Sequence, residues 1–93
     1  MIRHSVHWTV PAIKDLIGIR DWIAKDDPAT ARRVAAVIKE DADKLETMPN
    51  RGRPGRAAGT RELVLAGWPW IVVYDVAAGQ VTILRVLHGA TRV

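Results

Sequence analysis

The sequence predicts an α+β domain of order β-α-α-β-β-β: an N-terminal strand, then an antiparallel helical hairpin packed on one face of a small twisted antiparallel sheet. Three observations carry this. Apolar residues recur at three- and four-residue steps through Leu45, the period of a helix with one buried face. A breaker-rich joint follows, Pro49-Asn50 and then Gly52-Arg53-Pro54-Gly55. Beyond residue 59 the pattern becomes short β-branched and aromatic runs separated by turn residues, which is how strands read. The chain has 93 residues with no linker and no internal repeat, so residues 1–93 make one domain.

Each element has its own signal. Residues 3–8, Arg-His-Ser-Val-His-Trp, are short and mixed in polarity and read as a first edge strand. Thr9 suits a helix N-cap, and Pro11 suits a first turn, where its missing N–H leaves no bond unmade. Ala12, Leu16, Ile19 and Ile23 then form one apolar stripe, flanked by Trp22, while Asp15 and Asp21 fall off it. Asp27-Pro28 begins the second helix by the same cap-and-proline logic. Ala31, Ala35, Ile38, Ala42 and Leu45 carry its inner face, and Arg32, Arg33, Lys39, Glu40, Asp43 and Lys44 its solvated one. The short break at Asp26–Pro28 pairs the helices antiparallel. Thr60–Ala66 is a strand, turned by Ala66-Gly67-Trp68-Pro69. Trp70–Val76 is apolar on both faces and therefore central. Ala77-Ala78-Gly79-Gln80 is a hairpin turn, and Val81–Leu87 is the last strand. Strict alternation places Val81, Ile83, Arg85 and Leu87 on one face and His88 on the other. One face of such a sheet stays open, and sites commonly sit there.

Composition narrows the function classes. There is no cysteine, hence no disulfide, thiolate metal site or cysteine nucleophile. His4, His7 and His88 lack zinc-ligand spacing, and no metal site is expected. No apolar run reaches the roughly 18–20 residues of a membrane span, and the opening Met-Ile-Arg-His-Ser has no signal-peptide character. A cytoplasmic protein is the expectation. The net charge of +4 is unevenly placed. Residues 1–50 balance eight basic against eight acidic side chains. Residues 51–93 hold Arg51, Arg53, Arg56, Arg61, Arg85 and Arg92 against Glu62 and Asp75 alone. The whole excess is guanidinium, the group whose forked donors suit phosphate or carboxylate. That segregation points to a polyanionic ligand or an acidic partner; solubility is the plainer alternative.

Several words of the sequence are specific. They are Asp15-Leu16 with Ile19, Trp22 and Ile23; the joint Pro49-Asn50-Arg51-Gly52-Arg53; Gly59-Thr60-Arg61-Glu62-Leu63; Ile71-Val72-Val73-Tyr74; and Ile83-Leu84-Arg85-Val86-Leu87-His88-Gly89. Taken in this order along nearly the whole chain, they resemble the RelE/ParE superfamily of small basic toxins of type II toxin–antitoxin systems. The resemblance implies a growth-inhibiting toxin, silenced by an acidic antitoxin that folds on binding. RelE-like members cut messenger RNA on the ribosome without metal or other cofactor. ParE-like members bind and poison DNA gyrase and are not enzymes. Messenger-RNA cleavage is the first reading and gyrase inhibition the alternative; a degenerate toxin retained in a repressor complex is a third.

Cleavage by this route needs the adjacent 2′-hydroxyl to attack the phosphate in line. A group must take that proton, another must stabilise the phosphorane, and another must protonate the leaving oxygen. Arginine meets the second need. Imidazole, with a reference pKa of about 6.5, meets either proton-transfer need. Carried over from the resemblance, Arg61, Arg85 and His88 are the catalytic candidates. Their plainer readings are a structural arginine paired with Glu62 or an edge carboxylate, a solvated arginine, and a strand-end histidine. Arg51, Arg53, Arg56 and Trp68 are candidates for binding nucleic acid or antitoxin, with Trp68 alternatively folded over its own hairpin. The joint holds no lysine, no tyrosine follows His88, and Tyr74, the one tyrosine, is expected in the core. Fewer proton-transfer groups than such nucleases usually carry imply slow or ribosome-dependent activity.

Overall fold

The computed structural model describes residues 3–89. Arg92, counted in the basic half, lies outside them. Strand β1 (Ser5–Trp8) leads into helices α1 (Val10–Ala24) and α2 (Pro28–Asp43), and a 3₁₀ turn at Lys44–Glu46 closes the hairpin. Strands β2 (Arg53–Pro54), β3 (Arg61–Val64), β4 (Trp70–Ala77) and β5 (Gln80–His88) follow. The expected caps form. Thr9 Oγ1 accepts from Ala12 N (3.3 Å) and donates to the Ile83 carbonyl (2.8 Å), fastening the start of α1 to β5. Asp27 accepts from Thr30 N (3.1 Å) at the start of α2.

The sheet runs β1-β5-β4-β3-β2. Strands β2 to β5 pair antiparallel as the short loops require, but β1 lies parallel to β5, so the sheet is mixed. Loop lengths constrain only strands that follow one another; the neighbour of β1 is chosen by how the hairpin packs. At the β4–β5 turn Ala78 and Gly79 both take positive φ (50° and 77°), the backbone a type I′ turn demands.

The core lies between the sheet and α2. Val34, Ile38, Leu45, Leu63, Leu65, Val72, Tyr74, Val81, Ile83 and Val86 are buried, each apolar side chain stabilising the fold by about 1.5–3 kcal/mol. Helix α1 is more peripheral: only Ala12 is fully buried, with Leu16, Ile19 and Ile23 partly so.

Strict alternation fails in β5. Tyr74 pairs with Ile83 and Val73 with Arg85, which leaves Leu84 as an extra, bulged residue. The bulge flips the parity. Val81, Ile83 and Val86 face the core, while Arg85 and Leu87 do not share that side. The expectation of a common face for Val81, Ile83, Arg85 and Leu87 is therefore corrected. A buried, unpaired guanidinium costs too much, and one inserted residue turns Arg85 outward.

Candidate functional site

Facing away from the helices, the sheet holds a cavity of about 220 Å³. Its apolar floor is Ile71, Val73 and Leu87, and Arg56, Thr60, Glu62, Arg85 and His88 line its rim. The placement follows from register. Val73 pairs with Arg85 and with Glu62, and Ile71 pairs with Leu87, so these side chains stand on one face of three adjacent strands. Strand β5 ends at His88, whose ring meets Trp70 edge-on at 5.2 Å and 88°.

Arg85 is anchored from the side. Its Nε donates to Asp15 Oδ2 (2.7 Å) and its Nη2 to Asp15 Oδ1 (3.0 Å), and Asp15 Oδ2 also accepts from the backbone N–H of Val86 (2.9 Å). The cause is the short first strand. Strand β1 stops at Trp8, opposite Ile83, while β5 continues to His88. Past Ile83 this edge of β5 has no strand neighbour among the described residues, and Asp15 from α1 supplies the acceptor a strand would have supplied. The carboxylate pushes the Arg85 pKa up further, first through the side-chain hydrogen bond and then through its charge. The Arg85 side chain remains 51% exposed.

Arg61 sits elsewhere. It pairs with Tyr74 and therefore shares the helix-covered face with it. Its Nη1 donates to the Gly52 carbonyl (2.8 Å) and, at 3.4 Å, to that of Asn50. The buried Tyr74 hydroxyl accepts from Gly52 N (2.8 Å) and donates to the Pro49 carbonyl (2.7 Å). A Cβ at position 52 would stand 2.7 Å from that hydroxyl, so only glycine fits. The Pro-x-x-Gly-Arg joint is thus buckled to the sheet by Tyr74 and Arg61. The sheet brings Arg85 and His88 to one cavity and leaves Arg61 on the opposite face.

Glu62, 7% exposed, organises the rest of the joint. It accepts from the Arg56 backbone N–H (3.1 Å) and from Arg53 Nη2 (3.2 Å), with Arg56 Nε at 3.9 Å. The Arg56 amide is the main reason its pKa falls below 4.5; burial opposes, and the Arg53 hydrogen bond and both guanidinium charges add to the lowering. Arg53 and Arg56 are therefore not a bare basic patch. Arg51 is exposed, and Trp68 is half-buried against the core. Sequence reasoning missed Asp15 and Glu62. Asp15 did leave a weak signal: positions 11, 12, 18 and 19 offer it no charged partner within its helix, which leaves it available to another element. Among the described residues no group of three or more histidines and carboxylates could hold a metal ion, and no helix is long and apolar enough to cross a membrane.

Residues 6–93 match the family described as ParE toxin of type II toxin-antitoxin system, parDE. The putative toxin Y4kP of Sinorhizobium fredii is 46% identical over 88 residues, covering 95% of this chain and 91% of that protein. Toxin RelE2 of Caulobacter vibrioides is 44% identical over 86 residues, covering 92% and 96%. Among solved structures, the chromosomal ParDE system of P. aeruginosa superimposes with a TM-score of 0.87 at 30% identity, over 95% of this chain and 98% of that one. The RelBE2 toxin–antitoxin complex of Mycobacterium tuberculosis gives 0.67 at 28%, over 94% and 99%.

Proposed function

The chain belongs to the ParE toxin family and is the toxin of a type II toxin–antitoxin system, and we propose that it arrests growth in the cytoplasm by cutting messenger RNA in the open-face cavity. One observation carries this reading: Arg56, Arg85 and His88 line a single cavity whose floor is apolar. Such a floor suits the face of a base, and guanidinium donors suit the phosphate beside it. The 2′-oxygen attacks phosphorus as its proton leaves. The bond to the 5′-oxygen breaks, and that oxygen takes up a proton, giving a cyclic phosphate and a free 5′-hydroxyl. Arg85 stabilises the added negative charge of the phosphorane, and His88 exchanges a proton. Arg61 takes no part in this scheme; its role is to hold the joint. No step calls for a metal or other cofactor, in keeping with the resemblance to RelE-like toxins.

The antitoxin partner follows from membership of the family. Its inferred chemistry is an acidic segment that folds over residues 51–61 and the end of β5, offering carboxylates to the guanidiniums that substrate would otherwise use. A second reading, binding and inhibition of DNA gyrase without catalysis, is favoured by the commitment of two Arg85 donors to Asp15 and by the ParE family match. Two assays on one preparation decide. Cuts in messenger RNA within a translation mixture, weakened by His88→Ala, support cleavage. Intact RNA together with gyrase-dependent DNA breaks overturns it in favour of the second reading.

A further inference from the structure

We propose that Asp15 is a positioning residue, aiming Arg85 at an anion in the open-face cavity; the inference rests on reading that cavity as a phosphodiester site. A guanidinium carries five N–H donors in a rigid plane. Asp15 engages one on Nε and one on Nη2. Among the described residues three remain: one on Nη1 and one on Nη2 lie side by side at the tip of the plane, and the second on Nη1 points to the edge opposite the carboxylate. An arginine held by its Nε edge offers its Nη1/Nη2 tip as a second fork already in place, so little ordering cost falls on binding. The clamp is itself fixed. Asp15 stands on α1, and its Oδ2 is held by the Val86 N–H, on the residue that follows Arg85. Helix, strand edge and guanidinium thus lock one another.

The rival role for Asp15 is plain charge compensation, and the two roles differ in sign. Removing a carboxylate that merely neutralises Arg85 strengthens binding of a polyanion, because the local potential rises. Removing one that positions Arg85 weakens it. Asp15→Asn separates them, since the amide oxygen still accepts from Val86 N. The probe is a fluorescent single-stranded oligodeoxynucleotide, which carries the phosphates but no 2′-hydroxyl and so binds without being cut. It is titrated at fixed salt into the toxin freed from its antitoxin.

The expected result is affinity weakened roughly tenfold by Asp15→Asn, the scale of one charge-assisted hydrogen bond, although the protein becomes one unit more positive. In an Arg85→Ala background the same substitution should have no further effect, because Asp15 acts through Arg85. Should Asp15→Asn fail to fold by circular dichroism, Asp15→Glu keeps the charge while displacing the fork, and it too should weaken binding. Affinity unchanged or strengthened by these variants, an undiminished loss in the Arg85→Ala background, or no binding by the wild type overturns the inference. The nuclease reading fails in a different way, with the oligodeoxynucleotide bound and sensitive to Asp15 while RNA stays whole.

Discussion

Arg61 and Arg85 stand on the two faces of one sheet, and the contrast separates scaffold from site. Around Arg61 every strong group is matched internally: guanidinium to the Gly52 and Asn50 carbonyls, tyrosine hydroxyl to Gly52 N and the Pro49 carbonyl. Around Arg85 one edge of the guanidinium is matched to Asp15, and the residue lines a cavity. The same residue type fixes a loop where its partners are carbonyls, and can meet a ligand where its partner is one carboxylate. Residue type did not decide this. Register and a single bulge did.

The sharpest way to break the comparison is to remove each arginine in turn. Arg85→Ala should leave unfolding unchanged within about 1 kcal/mol, since the Arg85 side of the ion pair is half exposed and Asp15 keeps its bond from the Val86 N–H. It should slow RNA cleavage by roughly 10²–10³, the loss of about 2.7–4 kcal/mol of transition-state stabilisation. Growth arrest at matched expression, measured beside thermal unfolding, checks this; full toxicity in the variant removes Arg85 from the site. The scaffold side predicts the reverse pattern. Gly52→Ala drives a methyl into the Tyr74 hydroxyl and should cost about 1–3 kcal/mol by denaturant unfolding, with any loss of toxicity tracking the loss of folded protein. Undiminished stability would show that the joint is not buckled as described. Arg61→Ala should cost less, about 1 kcal/mol for its hydrogen bonds to the two joint carbonyls, and in the folded fraction cleavage should persist. Cleavage abolished in a stably folded Arg61→Ala protein would return Arg61 to the catalytic set.

The smallest expected effect concerns Glu62, which joins the two regions by sitting at the cavity while holding the joint. Its folded pKa lies below its ordinary 4.5. The stability it contributes is therefore present above that value and lost as pH falls through the lower folded value. Unfolding followed downward from pH 6 should show this decline in the wild type and a flatter course in Glu62→Gln. Parallel curves would mean that Glu62 is no firmer in the folded state than in the unfolded chain.

Local signals made most of the fold legible. Thr9-Val10-Pro11 and Asp27-Pro28 specify helix starts through caps that need only neighbouring residues, and both caps form. The Trp70–Val76 run identified the central strand because apolar side chains on both faces suit a strand with neighbours on both edges, as β4 has in β3 and β5. The family was legible from ordered words along the chain, and several of these words hold residues that meet in the fold, such as Gly52 and Tyr74. Three features were hidden, and each depends on how separate elements are laid against one another. The parallel pairing of β1 with β5 joins segments more than 70 residues apart, and no loop length fixes it. The bulge at Leu84 emerges only when β5 is laid against β4, because it is a mismatch between two strands and not a property of either. The ion pair of Asp15 with Arg85 spans 70 positions. The helices, the four longer strands and their order could be read from residues alone, because those rest on short-range chemistry, whereas the two-residue strand β2 within the joint could not. Which arginine faces the cavity, and which carboxylate holds it, was settled by the folded chain, because a side chain's face depends on the register of its strand against the neighbours.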